Sequence, residues 1–287
     1  MAMMTNLLIL PSVKNMDEVV EATSSNASFT KGSFKRVEFR LKDNGVQLSH
    51  KGVDLKDFSS VWLSSFWRSR DLAYAAKLYL DHFGIPHTYV EKGTSKITDQ
   101  VQFALNNILI PNTFFVDTRD IADYVKKIEE VCGYPLIIKD IRGSGGRYSA
   151  YIRNRKELLA KFSKLSRYRK YFFQKFIPNE YDWGILVVNG KVVSAEKSYP
   201  KDSEFRNNAC NGAKEVFVEK KDVPKPIQDI AIKASEILGL SWSRSDIIID
   251  KNTNISYLLE VNRCPGITSG TSEAAGAQQF LHQFTSK

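Results

Sequence analysis

Residues Ser245-Asp246-Ile247-Ile248-Ile249-Asp250 and Ile255-Ser256-Tyr257-Leu258-Leu259-Glu260-Val261-Asn262 decide how this chain is read. Both runs are aliphatic enough for buried strands, yet each carries carboxylates, and a buried carboxylate needs a partner that offsets its desolvation. Side chains alternate along a strand, so Glu260 and Asn262 share a face. With a turn centred on Asn252 to Asn254, Asp250 faces Ser256 and Asp246 faces Glu260. Two opposed carboxylates repel unless a hard cation lies between them, and Asp, Glu and Asn oxygens, with water and phosphate oxygens, are what Mg²⁺ takes. The bland alternative is a pair of solvated carboxylates at a sheet edge.

Upstream, Pro135 to Lys139 and Tyr148 to Ile152 read as another hairpin, joined by Arg142-Gly143-Ser144-Gly145-Gly146-Arg147. Such a tip lets backbone N–H groups approach phosphate oxygens with no Cβ in the way, although a glycine-rich turn often binds nothing. The chain has no P-loop, and Pro11-Ser12-Val13-Lys14 stands where a dinucleotide fingerprint would be, so a dinucleotide site is not expected. Before this hairpin, strands at Leu7 to Leu10, Phe34 to Leu41, Val61 to Leu63 and His87 to Val90 surround a helix from Asp71 to Phe83, the pattern of a small α/β domain. Helices over 97–106 and 121–131 flank a strand at 112–116. Beyond the hairpin come a helix at 156–165, a strand at 171–176, a hairpin from Trp183 to Ser194 turned at Asn189-Gly190, and a helix from Ile227 to Leu238.

With 287 residues, 43% of them hydrophobic, the chain can bury a sizeable core, which excludes a disordered or collagen-like polypeptide. No apolar run approaches the roughly 20 residues of a membrane helix. The start, Met-Ala-Met-Met-Thr-Asn, lacks the basic region of a secretory signal, and Cys132, Cys210 and Cys264 are widely spaced. A reducing, cytoplasmic setting without structural zinc is expected. The net charge of +9 suits an anionic partner. Lys161, Lys164, Arg167, Arg169, Lys170 and Lys175, interleaved with Tyr168, Tyr171, Phe172 and Phe173, superficially resemble a nucleic-acid surface. A solvated helix face followed by a half-buried strand is the preferred reading, so neither nucleic acid nor membrane is an expected partner. Trp67-Arg68-Ser69-Arg70 offers an arginine pair to a substrate carboxylate, with a surface position preferred. Arg206, in Phe205-Arg206-Asn207-Asn208, reads as a loop arginine able to stabilise an anion.

Taken in order, Lys96, Lys139 with the glycine-rich tip, Phe173-Gln174-Lys175-Phe176-Ile177, Phe205-Arg206-Asn207-Asn208, Asp246 and Leu259-Glu260-Val261-Asn262-Arg263-Cys264-Pro265-Gly266 resemble the ATP-grasp superfamily, most closely its RimK-like branch. The resemblance covers about 95 to 275. It implies an α/β (α+β) ATP-grasp fold with a pre-ATP-grasp domain at 1–94, a central subdomain at 95–170 and a C-terminal subdomain at 171–287. It implies that Lys96 and Lys139 contact ATP phosphates, that Gly143, Ser144, Gly145 and Gly146 close over them, and that Gln174, Lys175, Phe176 and Ile177 form the adenine hinge, with backbone groups near Lys175 and Phe176 hydrogen-bonding the base. Glu180 or Asp182 would serve the ribose. Asp246, Glu260 and Asn262 match magnesium ligands, for two Mg²⁺ ions with Mn²⁺ as a substitute, and Arg206 with Asn208 matches the segment at the acyl intermediate.

The implied activity is an ATP-dependent carboxylate–amine ligase acting on an amino acid or peptide, with a homo-oligomer compatible. Alternatives are a ligase of the same fold that crosslinks a precursor peptide by ester or amide bonds, and a nucleotide-binding protein without turnover. The sequence departs from the pattern in two places. Trp183-Gly184 follows Asp182 where the branch usually carries Asp-x-Arg, so an arginine is missing, and Cys264 stands where a small residue is common and reads as a buried thiol.

Overall fold

The computed structural model describes residues 5–23, 27–42, 45–117, 120–146, 148–166, 168–201 and 212–285. Four sheets form. The first is parallel, built from β1 (Thr5–Leu10), β2 (Ala27–Lys31) and β6 (Ser60–Leu63) in the order β2-β1-β6, with α1 (Met16–Ala22) linking β1 to β2. Leu7 to Leu10 are at most 1% exposed. That is why β1 reads as an unbroken apolar run: its sheet is covered on both faces. Between β2 and β6 the chain folds a small antiparallel sheet from β3 (Val37–Lys42), β4 (Gly45–His50) and β5 (Val53–Asp54). Helix α2 (Arg70–His82) follows, with Gly84 at φ 68° just past its end. The strand expected at His87 to Val90 is reduced to a single bridge, His87 to Val61.

Helix α3 (Lys96–Leu105) leads into an antiparallel sheet ordered β7-β10-β8-β9, built from β7 (Thr113–Phe115), β8 (Leu136–Asp140), β9 (Ala150–Ile152) and β10 (Tyr171–Lys175). Helices α4 (Val125–Cys132) and α5 (Arg155–Phe162) belong to this half. The basic segment resolves into separate parts. Arg169 pairs with Asp140 at 2.6 Å, Lys170 pairs with Asp117, and Tyr171, Phe172 and Phe173 are buried, more so than the half-buried strand expected.

The last sheet is antiparallel, ordered β13-β12-β11-β14-β15, from β11 (Asp182–Val188), β12 (Lys191–Tyr199), β13 (Lys214–Phe217), β14 (Trp242–Ile249) and β15 (Ser256–Asn262). Asn189 and Gly190, both at positive φ, turn β11 into β12 as a two-residue hairpin requires. One face packs on α6 (Lys225–Leu238), whose Ile227, Ala231, Ala234 and Leu238 meet Ile185, Val187, Ile247 and Leu258. The other face changes character along its strands. At one end Leu186, Val188 and Trp242 lie under α7 (Ser272–Thr285) and share a core with Leu7, Ile9 and Trp62. At the other end the same face presents Gly184, Arg244, Asp246 and Asp182.

Trp62, Trp242 and Phe280 form an aromatic cluster with centroids 4.8–5.4 Å apart, joining β6, β14 and α7. Phe280→Ala is expected to cost about 3–5 kcal/mol in urea unfolding, because the two tryptophans cannot collapse into the space left. A loss under 1 kcal/mol would show that the cluster is not what holds the N-terminal sheet on. Among the described residues no helix is long and apolar enough to cross a membrane.

Candidate active site

The uncovered end of the five-stranded sheet faces the four-stranded sheet across a cleft. The β14–β15 register places Asp246 opposite Glu260, as the sequence predicts, but by a different route. Near the turn Ser256 pairs with Ile249 rather than Asp250, one residue off the expected register, and an irregularity after Asp246 restores the match. The bulged position is Leu259. A bulge turns two consecutive side chains to one side, so Leu258 and Val261 both reach the α6 core while Leu259 and Glu260 both line the cleft.

Asp246 and Glu260 have side chains 18% and 23% exposed, half-buried rather than solvated at an edge. Glu260 is ion-paired with Lys96, and Asn262 Nδ2 donates to Asp246 Oδ2 at 3.1 Å. Burial and the nearby Glu260 push the Asp246 carboxyl up to about 7, against the pull of Arg244. Burial works the same way on Glu260, but Lys96 and Lys139 outweigh it and hold that carboxyl below its ordinary value. Two opposed carboxylates and an amide oxygen are the donor set of a hard cation, and the unfavourable Asp246–Glu260 pairing gives such a cation something to relieve.

A cation held by Asp246 would have to expel its proton at low pH, so the Mg²⁺ affinity of the ADP-saturated protein is expected to fall as pH drops below about 7, by up to roughly tenfold per unit. Calorimetry at pH 5.5 and pH 8 in two buffers reads both affinity and proton release; equal affinity at the two pH values would contradict the assignment.

Lys139, on β8, faces this pair. Burial and the neighbouring Lys96 push its ammonium down to about 8. Its Nζ donates to Gln174 Oε1 at 2.7 Å, while Gln174 Nε2 donates to Thr113 Oγ1 at 3.0 Å. Gln174 is thus a side-chain support for Lys139, a role additional to the hinge position that the resemblance gives it. The N–H groups of Lys175 and Phe176 donate to Asn112 O and Pro135 O, which leaves the carbonyl oxygens as the backbone groups of these two residues open to hydrogen-bond a base. Lys175, Phe176 and Ile177 do line the cleft.

Asp182 lines the cleft and accepts from Asn179 Nδ2 at 2.7 Å, whereas Glu180 is exposed and lies outside the lining. Ile137 and Ile177 on one wall and Ile248 and Leu259 on the other bound an apolar slot. Of the glycine-rich tip, Gly146 lines the cleft, and Gly145 and Gly146 take φ of 61° and 65°. The tip is anchored at its base by Asp140, which accepts the Arg142 N–H at 2.9 Å, and Gly143 N donates to Asp140 O. Ser144 opens instead onto an adjoining cavity, with Asn262 and Arg263. Arg206 and Asn208 lie outside the described residues, as does Cys210. Burial pushes the Cys264 thiol up to about 12, in keeping with an unreactive sulfur.

The missing arginine has a structural counterpart. Gly184 sits opposite Asp246 on β11, and a Cβ there would lie 2.5 Å from Arg244 Nη2. The guanidinium of Arg244, one strand over, occupies the space above the glycine, paired with Glu196 and 3.7 Å from Asp246. Arg70, expected at the surface, is only 4% exposed, because its side chain folds back onto Trp67 and Gly93.

Two α+β halves facing a cleft, with Lys139 on one wall and paired carboxylates with Lys96 on the other, define an ATP-grasp architecture, and solved structures share it. D-alanyl-alanine synthetase A from Vibrio cholerae matches with a TM-score of 0.72 over 99% of this chain and 98% of that one, at 15% identity. The ATP-grasp ligase PsnB complexed with a minimal precursor matches at 0.66 over 98% and 100%, at 16% identity. The RimK-like ATP-grasp domain matches residues 95–280, and the chain belongs to that family. A "Probable alpha-L-glutamate ligase" from Halorhodospira halophila is 29% identical over 84% of this chain and 80% of its own length. The alpha-aminoadipate–LysW ligase LysX of Saccharolobus solfataricus is 29% identical over 69% and 72%. By class the chain is an ATP-grasp ligase.

Proposed function

We propose that the chain joins a carboxylate to an amine at the expense of ATP, through an acyl phosphate, with an amino acid or peptide among its substrates. The observation that carries this is the meeting of Asp246, Glu260 and Asn262 with Lys96, ion-paired to Glu260, and with Lys139 from the other wall, in one cleft. ATP would place its base in the slot between Ile137, Ile177, Ile248 and Leu259, its ribose at Asp182, and its phosphates between the lysines and the Gly143 to Gly146 tip. Asp246, Glu260 and Asn262 would hold Mg²⁺, which supplies charge neutralisation at the transferred phosphoryl group.

The reacting carboxylate oxygen bonds to the γ-phosphorus as the bond to ADP breaks; the amine nitrogen then bonds to the acyl carbon, phosphate leaves, and the nitrogen gives up its proton. Neither step needs a protein nucleophile, so Lys96 and Lys139 act by position and charge. Arg206 with Asn208 is carried over from the resemblance to the acyl intermediate. The relatives' names couple this chemistry to glutamate and aminoadipate, which supports an acidic amino acid as one substrate.

The test is release of ADP and phosphate from Mg-ATP with amino acids and acidic peptides added singly and in pairs. Release confined to particular pairs, with a coupled product by mass spectrometry, is the expected result. An acidic peptide that loses water without an added amine would favour the peptide-crosslinking ligase instead. Tight Mg-ATP binding with no release for any pair would sink the reading.

A further inference from the structure

Beside the cleft, past Asn262 and Ser144, lies a second cavity that leaves about 50 Å³ for the centres of water molecules. Space of this measure holds roughly three or four waters, or a carboxylate with the carbon that bears it. Its inner wall is built from Ser65, Trp67, Arg70 and Arg263, each at most 8% exposed. The two guanidiniums come from distant parts of the chain, the start of α2 and the residue after β15.

Both are charge-balanced but not fully bonded. Arg263 forks onto Asp99 at 2.8 and 3.1 Å, yet its Nε has no hydrogen-bond partner. Arg70 gives Nη1 to Gly93 O at 2.6 Å, while Asp99 and Glu91 stand 3.6 Å away and Nη2 is left unpartnered. Native proteins rarely bury charged donors without an acceptor, and such groups call for one. Trp67 fixes the arrangement: the Arg70 guanidinium lies 3.9 Å from its ring centroid, and Arg263 and Lys96 each lie 5.7 Å from it. One indole therefore ties this cavity to the lysine of the main cleft.

We infer that this cavity is a subsite for a carboxylate of the amino-acid substrate, held by Arg70 and Arg263 as an anchor that is not itself activated. The inference rests on the ligase reading for the word substrate. Both arginines line the cavity, and an anion there is drawn by two guanidinium charges at once, whereas a neutral carbonyl is drawn less strongly. Its mouth opens at Ser144 and Asn262, so an amino acid anchored by this carboxylate extends its remaining groups towards the phosphate end of the cleft.

The test needs no turnover. Saturation-transfer NMR is recorded on the Mg-ADP-saturated protein with acetate, succinate and L-glutamate, and with acetamide and succinamide as uncharged counterparts. Saturable binding of at least one carboxylate, uncompeted by the amides and weakened at least tenfold in Arg70→Lys, is the expected result. A water-filled cavity would give no carboxylate signal in the wild type, and that outcome overturns the subsite, as does equal competition by the amides or undiminished binding in Arg70→Lys. The wild-type comparison stands even if the variant misfolds. Carboxylate binding without ADP release for any substrate pair would leave the subsite standing while the ligase reading failed.

Discussion

Glu260→Gln is expected to abolish ADP release while leaving nucleotide binding measurable. Glu260 faces Asp246 across β14 and β15 and is the carboxylate that the lysines keep ionised. The amide keeps its size but removes the charge, so one anionic ligand of the cation is lost and Lys96 loses the ion-pair partner it has here. Removing one group aimed at developing charge typically costs about 3–4 kcal/mol of barrier, a hundred- to thousandfold in rate. The base slot, Asp182 and Lys139 are untouched, which is why calorimetric ADP binding should persist. Turnover within tenfold of wild type would remove Glu260 from the metal site.

Gly184→Ala is the second change of large effect, though it adds one methyl group. Its Cβ would stand 2.5, 2.6 and 2.8 Å from Nη2, Nε and Cζ of Arg244. The far end of an arginine can move cheaply, so the clash alone decides little. What makes it costly is the company of that guanidinium. Glu196 and Glu273 are 1% and 3% exposed, and they and Asp246 all look to Arg244 for compensation. Burial has already pushed the Glu196 carboxyl up to about 7, while the surrounding carboxylates keep the Arg244 guanidinium protonated above its ordinary range despite its burial.

Displacing the cation leaves buried carboxylates uncompensated, at about 3–5 kcal/mol, a fall in Tm of roughly 5–8 °C for a chain of this length. In an Arg244→Ala background the same Gly184→Ala should cost almost nothing, because the group it displaces is gone. Thermal unfolding of the four proteins tests the pair; additive effects would show that Gly184 and Arg244 are independent.

Much of the site was legible before the fold was known, because its chemistry is local in sequence. A carboxylate on an otherwise aliphatic strand is costly wherever it is buried, so Asp246 and Glu260 announced a partner, and period-two alternation put Asn262 beside Glu260. Asn189-Gly190 requires a hairpin, since few other pairs accept two positive φ values. Other elements were hidden for reasons equally physical. Helix α7, which no sequence pattern announced, has Gly276 in its interior, which lowers its helical propensity, yet a Cβ there would approach Val193 to 2.7 Å, so the packing demands a glycine that propensity alone disfavours. Strand β2 is largely intermediate in burial and shows no clean alternation.

The sequence by itself determined the class of chemistry: which side chains carry charge on buried strands, where turns must fall, and which family pattern they follow. The tertiary structure alone decided how those groups meet. A bulge at Leu259 restored the Asp246–Glu260 register that a uniform hairpin would have missed by one residue. An arginine on β14 came to occupy the space over a glycine on β11, and Arg70 and Arg263, 193 positions apart, came to line one cavity. Alternation and turn preference act over a few residues and are written in the chain, whereas register shifts, shared volume and buried charge balance depend on neighbours that only folding supplies.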